Sequence, residues 1–194
     1  MLTITTVIGN IKKEPQLHQK YEESVKKNTV ENVVIQRSET EKVRMRKVSD
    51  KETDIGFILP SRTHLKDGDV VFLDDTKMIV IKLSPELVAI LNIKNHLHNH
   101  HDHDHDHKHE HDHDHNHDHD NNDDLTNVAI KVGHTIGNLH RPLKIENRDI
   151  IFPIQSPDEI NLFLRLLSDL KDYIEIRSEL LIFEPDQGFD IHAH

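Results

Sequence analysis

The sequence predicts an α+β protein in which a β-rich domain precedes a domain of mixed helices and strands. Short apolar runs separated by turn residues fill the first domain, which is typical of strands joined by hairpins. Beyond it, apolar runs alternate with two stretches of helical period. Between Leu97 and Leu125 no aliphatic or aromatic side chain occurs. The predicted parts are a first domain at 1–83, a second domain in two pieces at 84–93 and 125–186, an insertion at 94–124 and a mobile tail at 187–194.

The first domain is predicted to be all-β, as a sandwich or a partly open barrel. Residues 1–11 alternate apolar and threonine side chains, which suits a strand. The Asp67-Gly68 pair stands between apolar runs and indicates a hairpin. Residues 12–31 hold few large apolar groups, so we expect a loop or exposed insertion there. Further strands are expected at 33–36, 43–48, 54–59, 70–73 and 78–83.

The first helix of the second domain is predicted by a single apolar stripe. Thr126 is its expected N-cap, and the helix is expected to run to about His140. His140 is the next step on the stripe, whose earlier members recur every fourth residue. Those members are Val128, Val132 and Ile136.

The second helix has a full start signature. Ser156 is its expected N-cap, with Pro157 at the first helical position and Glu159 completing a capping box. With the insertion set aside, the predicted order is β, α, β, β, α, β, the split βαβ pattern of a ferredoxin-like domain. The strands of this domain are expected at 87–93, 143–146, 150–155 and 173–183.

The insertion is a His/Asp-rich tract that lacks the apolar groups needed to offset the entropy of folding, so it is predicted to be disordered. It holds 13 of the chain's 19 histidines. Neutral imidazole binds nickel, zinc, copper and cobalt, and the interleaved acids keep the tract anionic. The plain alternative is a solvated linker without a metal role. The candidate ligands are His96, His98, His100, His101, His103, His105, His107, His109, His111, His113, His115, His117 and His119.

The composition argues against several classes of protein. The net charge is −11 and no basic face appears, which disfavours nucleic-acid binding. Cysteine is absent, so disulfides, thiolate zinc fingers and Fe–S clusters are excluded. No apolar run approaches the length of a membrane span, and residues 1–10 lack the leading positive charge of a signal peptide. We expect a cytoplasmic protein that does not bind membranes.

His140, outside the tract, is a second candidate metal ligand, and two interpretations of it remain open. It is either a buried histidine satisfied by a backbone carbonyl or a metal ligand. The tract and the tail residues His192 and His194 favour the metal ligand. A metallohydrolase would need three protein ligands and an open position on a rigid frame, so we do not expect an enzyme.

Three motifs carry a resemblance to a known family. The first is Gly137-Asn138-Leu139-His140 followed by Pro142-Leu143, the second is Leu65-Lys66-Asp67-Gly68-Asp69-Val70, and the third is Phe183-Glu184-Pro185-Asp186-Gln187-Gly188. They resemble the Gly-Asn-Arg-His motif, the Asp-Gly-Asp hairpin and the Phe-Glu-Pro element of the UreE family of urease accessory proteins, which are nickel metallochaperones.

The resemblance implies a β-rich N-terminal domain, a ferredoxin-like metal-binding domain and a homodimer in which the two motif histidines meet. It thereby assigns the metal to His140, with Gly137 and Asn138 as motif positions. Leu139 stands where the family has arginine. His134 lies one position from a frequent family histidine and is a further candidate ligand. A secondary His pair that some members carry is predicted to be absent, because this chain has Ile154 and Ser156 there.

The function implied by the resemblance is delivery of Ni²⁺ to apo-urease while the urease active site is assembled. The expected partners are a second copy of the chain, apo-urease and its accessory proteins including the GTPase. The paired His140 site, closed by His192 or His194, would hold one ion, and the tract would gather more. Zn²⁺, Cu²⁺ or Co²⁺ are also expected to bind. The alternative function is a histidine-rich storage or buffering protein without a delivery partner.

Overall fold

The computed structural model describes residues 1–94 and 120–186, with side chains described from residue 125 onward in the second stretch. The chain divides into two units, of which the first is Met1–Glu86 together with Ile182–Glu184. The second unit takes in Leu87–Leu181 and the residues that follow Glu184. The histidine tract and the tail lie outside the described residues, so their predicted disorder stays a prediction. No helix within the described stretches is long and apolar enough to cross a membrane.

The first unit contains strands β1–β7 and helix α1, in this order: β1 Leu2–Ile4, β2 Gly9–Asn10, α1 Pro15–Lys26, β3 Val30–Ile35, β4 Arg44–Val48, β5 Asp54–Ile58, β6 Asp69–Leu73 and β7 Met78–Leu83. One sheet has the order β1-β5-β4, and the other has the order β2-β6-β7-β3. Strands β1 and β5 are parallel, as are β3 and β7, whereas the remaining pairs are antiparallel. Apolar side chains of both sheets, including Phe57 and Ile79, share one buried core. The sheet-rich character predicted for this region is confirmed.

Helix α1 corrects the prediction that the first domain is all-β with a loop over residues 12–31. The helix begins at Pro15, whose fixed φ suits a first helical position, and the Glu14 side chain accepts a hydrogen bond from the Asn10 N–H at 3.1 Å. Leu17 is buried, and Tyr21 packs one turn later against the same cluster. Because two apolar residues suffice to attach this helix, its periodicity is too weak to recognise in the sequence.

The Asp-Gly-Asp motif, residues 67–69, forms hydrogen bonds with other segments of the first unit. The Asp67 side chain accepts the Leu83 N–H at 2.8 Å, and the Asp69 carboxylate accepts Asn10 Nδ2 at 2.8 Å. Burial raises the pKa of Asp69, although hydrogen bonds from Asn10 and the Lys66 N–H oppose that rise. The Glu184 carboxylate accepts the Asp67 N–H at 3.0 Å. Two of the three family motifs therefore meet within this unit.

The second unit comprises the elements β8 Glu86–Ile93, α2 Asp120–Gly137, β9 Lys144–Glu146, β10 Asp149–Pro153, α3 Glu159–Leu166 and β11 Ile174–Leu181. Its sheet has the order β11-β8-β10-β9. Strand β10 is antiparallel to both of its neighbours. The predicted stripe of α2 is confirmed, because Val128, Val132 and Ile136 are 3%, 0% and 1% exposed within one apolar cluster.

Both helices of the second unit begin at other residues than the sequence predicts. Helix α2 begins at Asp120, so Thr126 lies inside it and is not an N-cap. Apolar periodicity could not mark this start, because residues 120–124 have no apolar side chain. Helix α3 begins at Glu159 rather than after Ser156. The Glu159 carboxylate still accepts backbone N–H groups ahead of the helix, that of Gln155 more strongly than that of Ser156.

Two lysines and a backbone amide stabilise the charged form of Glu39 in the first unit. It lies in a short 3₁₀ turn after β3, with its Oε2 at 2.6 Å from Lys47 Nζ and its Oε1 at 3.2 Å from Lys42 Nζ. The hydrogen bond from Lys47, then that from the Gln36 N–H, lowers the pKa of Glu39 from 4.5 to about 2. A carboxyl whose pKa falls on folding stabilises the native state above its unfolded pKa, and this contribution declines as pH falls toward 2.

We predict that Glu39→Gln lowers the free energy of unfolding by about 1.5–3 kcal/mol at pH 7, the range for hydrogen bonds to charged groups. The difference from wild type should shrink as pH is lowered from about 4.5 toward 2. Urea midpoints at several pH values measure this. Glu52→Gln, on an exposed turn, is the control and should change little. An equal loss for Glu39→Gln at pH 7 and pH 3 would contradict the assignment.

Candidate metal-binding site

His140 lies in a turn beyond the end of α2. Helix α2 ends at Gly137, after which the N–H groups of Leu139 and His140 donate to the carbonyls of Ile136 and Gly137 at 3.0 and 3.1 Å. His140 has φ +48°, the left-handed conformation that often ends helices, although glycine usually occupies it. Its side chain is exposed. The turn therefore presents the imidazole to solvent at the carboxyl end of the helix.

This position corrects two inferences from the sequence. His140 is not the next member of the apolar stripe, because α2 stops three residues before it. It is also not a buried histidine satisfied by a carbonyl, since its side chain is exposed. The stripe gave no sign of this, because helical periodicity cannot show where the last turn of a helix ends.

The two neighbours of His140 are both anchored. Leu139 is half-buried and packs against the apolar cluster of the second unit. The Arg141 guanidinium donates to the Pro153 carbonyl oxygen at 2.8 Å and pairs with the Glu159 carboxylate, with its Cζ 6.0 Å from the ring centre of Phe163. The structure thus fixes the turn through the residues on either side of the imidazole.

Arg141 is a positioning residue that the sequence analysis did not identify. Burial would raise the pKa of Glu159, but the Gln155 N–H and the Arg141 hydrogen bond and charge outweigh it and lower that pKa below its usual value. Arg141 therefore has an ionised partner at neutral pH. The sequence shows only an arginine directly after the motif histidine. It does not predict that Glu159, 18 residues later, is the ion-pair partner of this arginine.

His134 and Asn138 form a second polar pair beside the turn. Both side chains are exposed, and Asn138 Nδ2 lies 3.1 Å from His134 Nε2. In the tautomer in which Nε2 accepts this hydrogen bond, Nδ1 carries the proton. Binding of a metal to Nε2 would require Asn138 to move away. His134 is therefore less ready to bind an ion than His140.

The described residues do not bring together a complete set of metal ligands. Among the side chains described in 1–94 and 125–186, no three histidine, aspartate or glutamate groups lie close enough together to hold an ion. His134, Gly137, Asn138 and His140 lie in or next to the last turn of α2. His192, His194 and the tract histidines lie outside the described residues, so their role as ligands stays a prediction.

Comparison with known proteins finds a family match for the first part of the chain. Residues 4–84 match the sequence model of the UreE urease accessory protein N-terminal domain. This part of the chain is therefore similar to the N-terminal domain of UreE proteins. Proteins named urease accessory protein UreE match 79% of the chain, so the resemblance to UreE seen in the sequence is confirmed.

The UreE relatives are distant and longer than the matched region. The protein from Yersinia enterocolitica (serotype O:8 / biotype 1B) is 24% identical over 156 residues, which cover 79% of this chain and 57% of the relative. That from Natronomonas pharaonis is 21% identical over 160 residues, which cover 82% of this chain and 63% of the relative. The chain therefore spans less than two thirds of the length of either relative.

We predict that Arg141→Met destabilises the protein by about 1–3 kcal/mol, because it removes charged hydrogen bonds while keeping the apolar stem. Chemical denaturation measures the loss. The matched control is Arg165→Met, on the exposed part of α3, where the one hydrogen bond of the side chain within the described residues goes to a carbonyl of its own helix. Equal stability of the two variants would show that Arg141 does not anchor the turn.

Proposed function

We propose that this protein is a nickel metallochaperone that delivers Ni²⁺ to apo-urease during assembly of the urease active site. One observation carries the proposal: in a chain whose first part is similar to the UreE N-terminal domain, a single exposed imidazole stands on an anchored turn of the second unit. The nickel ion is cargo, which has to arrive and leave. An imidazole site without thiolates suits that task, because its ligands exchange with protonation and with competing donors.

The topology of the second unit supports a ferredoxin-like metal-binding domain. Its elements follow the order β8, α2, β9, β10, α3, β11, which is the split βαβ order. In the sheet, the first and third strands of that series are central and the second and fourth lie at the edges. His140 lies on the connection between α2 and β9, where a loop presents a side chain on a rigid frame.

A homodimer supplies the second imidazole. A symmetric interface brings a residue near the axis against its own copy, so a two-fold axis beside the turn pairs the two His140 side chains. The buried stripe of α2 cannot form this interface, because it packs within its own unit. The exposed stripe of Ile130, His134 and Gly137 replaces it in our proposal, and Ile130 is 63% exposed there.

The tail and the tract complete the proposed carrier. Two imidazoles leave a nickel or zinc ion under-coordinated, and His192 or His194 would add a further ligand. The thirteen histidines of the tract would gather additional ions in weak, interchangeable sets. The proposed partners are apo-urease and its accessory proteins including the GTPase, in the cytoplasm, and the proposed role is that of an accessory protein rather than an enzyme.

Metal storage is the second candidate function, and the tract favours it. A storage protein needs capacity but no delivery partner. A pull-down with apo-urease and its accessory proteins, followed by a urease activation assay with nickel-loaded protein, separates the two functions. Delivery predicts capture and activation that exceed those with an equal concentration of free nickel. Nickel binding without capture of apo-urease and without urease activation would leave storage as the function.

We predict that His140→Ala removes the tightest nickel site, which holds one ion per two chains. The fold should be unchanged, because the His140 side chain is exposed. Isothermal titration with nickel and circular dichroism measure the two effects. The control is His18→Ala, which removes an exposed histidine from α1 in the first unit. A tight site with one ion per chain that survives His140→Ala would refute this assignment.

We further predict that deleting residues 96–119 lowers the number of nickel ions bound per dimer but leaves the tightest site. Equilibrium dialysis at increasing nickel concentrations measures both quantities. A replacement segment of equal length in which each histidine becomes asparagine controls for chain length. Loss of the tight site in the deletion but not in the replacement would assign the tract a structural role, and loss in both would place the tight site in the tract.

A further inference from the structure

An apolar groove lies in the second unit between α2 and the hairpin of β9 and β10. It encloses about 370 Å³. Leu125, Ala129 and Gly133 line it from α2, and Ile145 and Ile150 line it from the hairpin. Leu125 is 38% exposed and Ile145 is 52% exposed. Covering these side chains would remove apolar surface from water, which favours an occupant with large apolar groups.

The stripe of α2 that lines the groove adjoins the proposed dimer surface, because Gly137 is its next step after Gly133. Leu125, Ala129 and Gly133 follow one another at intervals of four, beside the buried stripe of the helix. Ile130 and His134 lie further round the helix. A Cβ added at Gly133 would meet nothing within 4 Å, so the groove has room at this point.

The described part of the chain ends beside this groove. The Asp186 N–H donates to the Leu143 carbonyl at 3.1 Å, and the Asp186 carboxylate accepts the Ile145 N–H at 2.8 Å. Strand β9 is the last strand of its sheet, and Asp186 lies along it. Since Ile145 also lines the groove, residues that follow Asp186 start at its rim. Three extended residues span about 10 Å, enough for Phe189 to reach the groove.

The sequence after Asp186 complements the groove: it offers apolar side chains and a charge opposite to that of Arg148. Phe189 and Ile191 are large apolar residues two positions apart, so an extended chain would direct both to the same side. Residues 187–194 contain one acid, Asp190, and no lysine or arginine. The exposed Arg148 at the groove has no acidic partner among the residues described. The segment therefore offers both the apolar groups and the opposite charge.

We propose that residues 187–194 dock into the groove of their own protomer, with Phe189 and Ile191 covered by α2 and the hairpin. The histidine tract, which the sequence places between the groove residues Ile93 and Leu125, is a poorer match because Leu97 is its only large apolar residue. Docking limits the volume that His192 and His194 can explore and so raises their effective concentration near the turn. That consequence rests on the proposed function, whereas the docking itself does not.

A single tryptophan tests the docking without metal. The chain contains no tryptophan, so Phe189→Trp places a unique fluorophore in the segment. In the full-length protein we expect blue-shifted emission and acrylamide quenching several-fold weaker than in a synthetic 185–194 peptide with the same substitution. Adding Gly133→Leu to fill the groove should restore quenching to the level of the peptide. Gly133→Ala is the matched control, because it also raises helix propensity but leaves most of the groove open.

The outcomes separate the possible occupants. The proposal is supported if the tryptophan is protected from acrylamide at every protein concentration. Gly133→Leu should abolish that protection, and Gly133→Ala should keep it. Protection that disappears on dilution would assign the groove to a second copy, and quenching equal to that of the peptide would show no docking; either overturns the proposal. If Gly133→Leu perturbs the circular dichroism spectrum, Ile145→Ser takes its place, and retained protection in that variant also overturns it.

Nickel titrations distinguish failure of the docking from failure of the proposed function. If docking positions His192 and His194, Gly133→Leu should weaken the tight site to the same extent as removal of residues 190–194, with unchanged stoichiometry. Tryptophan protection without any tight nickel site would refute the proposed function and leave the docking intact. A tight nickel site in the wild type, together with an unprotected tryptophan in Phe189→Trp, would refute the docking and leave the proposed function intact.

Discussion

The anchoring of Leu139 and Arg141 is the constraint on which the candidate site depends. Leu139 packs into the apolar cluster of the second unit, and Arg141 binds the Pro153 carbonyl and the Glu159 carboxylate. A left-handed backbone at His140 costs on the order of 1–3 kcal/mol for a residue other than glycine. It is maintained because both neighbours are fixed. The imidazole between them is exposed to solvent, where an ion can reach it.

An exposed, anchored imidazole supports carriage better than catalysis. A catalytic metal centre needs several ligands fixed on one frame, whereas the turn after α2 presents a single exposed imidazole, that of His140. The remaining ligands in the proposed site come from a second chain and from the segment after Asp186. An ion held by groups from separate segments leaves when any one segment withdraws. The family match of the first unit and the geometry of the second unit are in this way consistent with one task.

The sequence predicted those features that repeat along the chain. The stripe of Val128, Val132 and Ile136 is buried as expected, and the strands of the first domain lie close to their predicted positions. Helix α1 was missed because Leu17 and Tyr21 are too few to show a period. The exposure of His140 was missed because it depends on where α2 ends and on the contact between Arg141 and Glu159, 18 residues apart. Neither property leaves a local pattern in the sequence.

The most direct test of this account is a crystal structure of the protein with one nickel ion per two chains, with the ion located by its anomalous scattering. The account predicts a single ion on a two-fold axis, coordinated by His140 from both protomers and by a histidine from the segment after Asp186. An ion bound within one protomer, or held by tract histidines with both His140 side chains free, would contradict it.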